Sequence, residues 1–163
     1  MNVNIYWDNV LQVMIRTSSD EMVPIATINF DVDAIDEVLD GMCIGDYIPL
    51  QDIAPFFSFP NIGYKWNEFI LEGYLYNFSQ KFKLVHSSFV SNKVCGAMVR
   101  RDSQIKDYDD LLINALANSD SLNSVKEALE YIVNSGFQYK KIYKGIDEVI
   151  RRAKLLRESF ETA

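Results

Sequence analysis

Residues 73–101 contain no Asp or Glu, although the chain as a whole carries 23 acids against 16 bases. The same window holds Lys81, Lys83, His86, Lys93, Arg100 and Arg101. Cations gathered on a short stretch of an acidic protein attract polyanions, above all the phosphates of a nucleic acid. If KFKLVHSSF is extended, side-chain alternation puts Lys81, Lys83, Val85 and Ser87 on one face and Phe82, Leu84, His86 and Ser88 on the other. A lysine face of this kind can grip phosphate, with Ser91, Asn92 and Lys93 at the tip of the turn. Lysines on an exposed strand edge also discourage edge-to-edge aggregation, so the pattern has a structural use as well.

A second basic stretch covers residues 138–157, where seven bases face only Asp147 and Glu148. Its first part interleaves Lys140, Lys141 and Lys144 with Phe137, Tyr139 and Tyr143, a composition suited to backbone contact. In the second part, Asp147 with Arg151 and Glu148 with Arg152 have the i, i+4 order that stabilises a solvated helix. The candidate nucleic-acid-binding residues are therefore Lys81, Lys83, Lys93, Arg100, Arg101, Lys140, Lys141 and Lys144.

Nine of the 21 aromatic residues fall within residues 56–78. Most of these lie on a segment that is apolar all round and so belongs to a core. Phe56, Phe57 and Phe59, set between Pro55 and Pro60, are candidates for exposure and could anchor a protein partner.

Other chemistries find little footing. DVDAIDEVLD starts like a calcium loop, but Ile35 and Asp36 stand where that loop needs an acid and a glycine. His86 beside Ser87 and Ser88 makes no triad, because neighbours on a strand point to opposite faces. Cys43 and Cys95, with one histidine in the chain, support neither a zinc site nor a disulfide framework and read as buried thiols. No glycine-rich phosphate loop is present. The expectation is a non-enzymatic protein with no cofactor and no metal.

Composition sets the frame. With 163 residues, 48% hydrophobic and 24% charged, the chain can bury a real core. No apolar run approaches the roughly 18 to 20 residues of a bilayer span, and MNVNIYWDNV lacks the basic and apolar regions of a signal peptide. A cytoplasmic location is expected. Residues 1–80 carry a net charge of −10 and residues 81–163 a net of +3, together the −7 of the whole, so attraction to nucleic acid belongs to the second half.

The elements that must position these groups follow from pattern. NIYWDNVLQVMIR, with Ile5, Val10, Leu11, Val13, Met14 and Ile15, suggests an N-terminal helix, and VPIATINF a short edge strand because of Pro24. Asp31 or Asp33 can cap a helix with Val32, Ile35, Val38 and Leu39 inward, ending at Gly41. DYIPL is briefly extended, LQDIAPF a short helix, and residues 64–79 a buried helix. Residues 82–89 and 94–100 should pair as an antiparallel hairpin turning near 90–93. Three or four helices follow, capped by Ser103 or Asp107 and by the Ser124/Glu127 box, with Gly136 as a stop.

In order, residues 31–101 give helix, extended piece, short helix, longer helix and hairpin. That order resembles the winged helix-turn-helix superfamily, with KFKLVHSSF-VSNK-VCGAMVRR as the wing. The resemblance implies a wing on phosphate and a third helix in the major groove. This third helix departs from it, because its polar positions, Lys65, Asn67, Glu68, Glu72 and Asn77, are slightly acidic.

The expected architecture is α+β and helix-rich: a winged-helix-like core with an N-terminal helix and strand in residues 1–101, then a C-terminal helical subdomain in residues 102–163. The expected function is a binding module in DNA transactions or their regulation. The alternative is a protein-interaction adaptor using the acidic N-terminal half and the loop of Phe56, Phe57 and Phe59.

Overall fold

The computed structural model describes residues 7–162. Ile5, part of the apolar pattern at the N-terminus, lies outside them. The described chain is a mixed α+β fold with six α-helices and two small antiparallel sheets.

The N-terminal region is not the helix its apolar residues suggest. Helix α1 (Trp7–Val10) is a single turn, and β1 (Met14–Arg16) pairs with β2 (Met22–Pro24), Ile15 opposite Val23. The Ser18 hydroxyl donates to Asp20 Oδ1 in the connecting turn. Only Val23 and Pro24 of VPIATINF belong to that strand; Ile25–Thr27 then form a 3₁₀ turn.

Helix α2 (Val32–Met42) is capped by Asp31, which accepts from the Ala34 amide at 3.1 Å, and it runs one residue past Gly41. Strand β3 (Tyr47–Pro49) follows, then a 3₁₀ turn, Leu50–Asp52, in place of the short helix expected from LQDIAPF. Asn67 caps α3 (Glu68–Asn77) by accepting from the Phe69 and Ile70 amides. Ile70, Leu71, Glu72, Gly73, Tyr74 and Leu75 are all buried, as its all-round apolar surface requires.

Strands β4 (Phe82–Val85) and β5 (Ala97–Arg100) form the antiparallel hairpin, shorter than the sequence suggests. Residues 86–96 loop out between them, with one bridge between Val90 and Lys93. Gly96 closes the loop at φ +116, where a Cβ would lie 2.6 Å from the Val85 carbonyl oxygen, so only glycine fits.

The C-terminal helices are α4 (Tyr108–Ala117), α5 (Val125–Asn134) and α6 (Ile146–Glu161). Asp107, not Ser103, caps α4; the Ser103 hydroxyl donates to the Arg100 carbonyl. Ser124 caps α5, accepting from the Glu127 amide. Gly136 stops α5 at φ +85, with Phe137 N donating to Ile132 O and Gly136 N to Val133 O, the paired bonds of a Schellman ending.

The three-stranded sheet has the order β3-β5-β4 and is covered on both faces. Phe82, Leu84, Met98 and Ile48 face a core built with α2 and α3, while Val85, Ala97, Val99 and Tyr47 face a second core built with α4, α5 and α6. The sheet is thus the wall shared by the two cores.

Candidate nucleic-acid interface

Covering both faces changes what the hairpin lysines can reach. Alternation separates Lys83 and Val85 from Phe82 and Leu84 as the sequence suggests, but the lysine face is the one that receives the C-terminal helices. Lys83 is half-buried, with its Nζ 3.5 Å from the Lys106 carbonyl. Lys81 is exposed just before β4.

Arg100 and Arg101 hold the fold together. Arg100 pairs with Asp40, donates from Nε to the Gly45 carbonyl at 3.0 Å and from Nη2 to the Cys43 carbonyl at 2.5 Å, and lies over the Phe82 ring. It ties the end of α2 to the sheet, and its hydrogen bond keeps the Asp40 carboxyl below the usual range. Arg101 donates to the Ser79 carbonyl. With Lys81 these two arginines line a shallow cleft that also contains Asp40 and Asp102, so their field is partly cancelled.

A different group of bases, the half-buried Lys93 and the exposed Lys140, Lys141 and Lys144, makes no side-chain hydrogen bond or ion pair among the described residues. Lys93, from the hairpin loop, lies 6.0 Å from the centre of the Tyr139 ring, which brings it to Lys140 and Lys141 in the loop between α5 and α6. Among the described residues no carboxylate is paired with Lys93, Lys140, Lys141 or Lys144. Gln138 holds the loop: its Oε1 accepts from the Ser87 and Tyr108 hydroxyls, and its Nε2 donates to the Ile142 carbonyl. The Gly96 amide donates to the Gly136 carbonyl at 2.9 Å, fastening the hairpin to the end of α5. Residues 139–142 are left on the outside, all exposed.

The phenylalanine loop separates into three environments. Phe59 is buried against Trp66, Phe56 is half-buried beside them, and Phe57 alone stands out, 85% exposed. The helix ion pairs also differ from the i, i+4 expectation. Arg151 pairs with Glu148 three residues back, and Arg152 reaches Asp110 on α4.

Several polar groups of the interior were not legible as a set. Arg16, on β1, forms a fully buried 2.5 Å ion pair with Glu72 on α3 and donates to the Val90 and Ser91 carbonyls of the hairpin loop. Its guanidinium is flanked by the Trp7 and Phe69 rings. Burial pushes the Glu72 carboxyl up to about 7 despite Arg16. Asp36 accepts from the Tyr74 and Ser79 hydroxyls and from the Gln80 and Lys81 amides, satisfying a carboxylate that is 2% exposed. Burial lowers His86 to about 4. The one available signal was Arg16 itself, the only base before Lys65.

Both cysteines are buried free thiols. Among the described residues no group of His, Cys, Asp and Glu is arranged to hold a metal, and no helix is long and apolar enough to cross a membrane. Comparison of the chain with protein-family models, curated proteins and solved structures found no significant match.

Proposed function

We propose that the chain is a non-enzymatic binding module acting in DNA transactions or their regulation, holding a phosphate backbone through Lys93, Lys140, Lys141 and Lys144. The observation that carries this reading is the convergence of Lys93 with the Tyr139–Lys141 loop, where the bases have no carboxylate partner among the described residues. Unneutralised cations on a braced loop attract phosphate with less backbone ordering cost than cations on a free one. The order α2, β3, 3₁₀ turn, α3, β4, β5 supports a winged-helix-like core in which the 3₁₀ turn occupies the place of the second helix. Lys81, Lys83, Arg100 and Arg101 are secondary contributors, since their side chains are already engaged or lie beside Asp40 and Asp102.

The test is fluorescence anisotropy with a random-sequence duplex at about 50 and 200 mM salt, because each neutralised phosphate adds about −0.9 to the salt slope. Lys140→Glu with Lys141→Glu should weaken binding to all duplexes alike and flatten the slope by about two units. Absence of any affinity for nucleic acid at about 50 mM would remove the reading. A protein-interaction adaptor would then lead, favoured by the 85% exposure of Phe57. On that alternative Phe57→Ala abolishes partner capture without unfolding the domain.

A further inference from the structure

Helix α3, the one the winged-helix resemblance would send into a groove, is not free to enter one. Among the six buried positions of α3 are Glu72 and Gly73, and Ile15 of the β1–β2 hairpin packs so closely on Gly73 that an added Cβ would lie 3.3 Å from it. Of the ten residues of α3, only Glu68 is exposed, and it is an acid. A duplex therefore cannot be read by α3, and the basic loop offers contact with phosphates.

The braced loop offers something a duplex cannot use. Tyr139 is 43% exposed beside Lys93, and Ile142, 73% exposed, follows Lys140 and Lys141 in the chain. The Lys93 ammonium approaches the Tyr139 ring, so an aromatic face and a cation are presented together. An unstacked base has a π-face to lay on such a ring, while paired bases hide theirs within the stack. Gln138 fixes the loop from inside through Ser87, Tyr108 and the Ile142 carbonyl, so the backbone that carries Tyr139 is braced before any ligand arrives.

We infer that the ligand of this surface is single-stranded nucleic acid, with a base stacked on Tyr139 and its backbone tracked by Lys93, Lys140 and Lys141. This rests on the phosphate-binding reading proposed above and adds to it the form of the nucleic acid. Phosphate contacts supply salt-dependent affinity for any strand, and stacking supplies the preference for an unpaired one.

The experiment compares a fluorescein-labelled oligothymidylate of about 20 nucleotides, longer than one small domain occupies, with a duplex of equal length at the same salt. The single strand should bind about tenfold or more tightly than the duplex. Tyr139→Ala should erase most of that difference by weakening only the single strand, and Tyr139→Phe should restore it, because the ring and not the hydroxyl stacks. Lys140→Ala with Lys141→Ala should weaken both ligands and flatten both salt slopes. Equal binding of the two ligands by the parent, or an unchanged preference in Tyr139→Ala, overturns the stacking site while leaving phosphate binding intact. Binding of neither ligand overturns the phosphate-binding reading and the stacking site with it.

Discussion

Two buried ionisable residues pull the pH dependence of stability in opposite directions. Glu72 titrates near 7 in the fold against an ordinary 4.5, chiefly through burial, so its contribution is fully present below about 4.5 and is lost as pH rises through about 7. His86 titrates near 4 against 6.5, again chiefly through burial, so its contribution is present above about 6.5 and is lost as pH falls through about 4. Each shift corresponds to something on the order of 3 kcal/mol, and between about 4.5 and 6.5 the two slopes oppose each other. The parent should therefore show a shallow profile there in urea midpoints measured across pH. Glu72→Gln should reveal the histidine, its midpoint dropping as the solution is acidified from about 6.5 to about 4.5. His86→Phe should reveal the carboxyl, its midpoint rising over the same interval. Asp40 and Glu148, held low by Arg100 and Arg151, act below this window. A Glu72→Gln profile as flat as the parent's would mean that His86 is not held low by burial as described.

Helix boundaries are local events, and Gly136 illustrates how sharply one can be fixed. At φ +85 an L side chain is strained, and the Cβ of alanine would meet the Gln51 side chain at 2.6 Å, which itself donates to the Asn134 carbonyl at the end of α5. Gly136→Ala should cost about 1 to 3 kcal/mol in equilibrium unfolding, as a strained left-handed residue does. A loss below about 0.5 kcal/mol would show that this helix end relaxes freely. Such endings are legible in sequence because they depend on a residue and its neighbours within one turn: Asp31, Asp107, Ser124 and Gly136 all act where their types suggest. The burial of α3 is legible for the same reason, since its own side chains are apolar all round. Strand β1 is not, because three residues are too few to display a period of two, and MIR fits a helical apolar pattern equally well. Nor is the fate of the Lys83 face, since alternation tells which residues share a face and not what packs on it. Arg152 found its partner on another helix rather than along its own, a choice set by the packing of α4 against α6.

At the scale of the molecule, the division into residues 1–101 and 102–163 leaves wholly in the first part a wall that both parts need. Val85, Ala97 and Val99 belong to the first part by sequence and to the core of α4, α5 and α6 by contact. A fragment of residues 1–101 would expose those side chains together with Tyr47, and it should aggregate or fail to give a cooperative melt, whereas the whole chain should melt in one transition. Two resolved transitions in calorimetry of the whole chain would contradict this. The convergence of Lys93 with Lys140 and Lys141 was beyond sequence reading for the same reason. It exists because Gly96 and Ser87 of one part bond Gly136 and Gln138 of the other. The placement of β5 has a consequence in time as well as in space. It is the central strand, bonded to β3 on one side and β4 on the other, and Met98 and Val99 are wholly buried, one in each core. Their amide protons can meet solvent only when strand neighbours and both cores give way. In deuterium oxide these two positions should be the last to exchange, at a rate that reports global opening, long after the hairpin loop and the exposed Lys140–Lys141 turn have equilibrated.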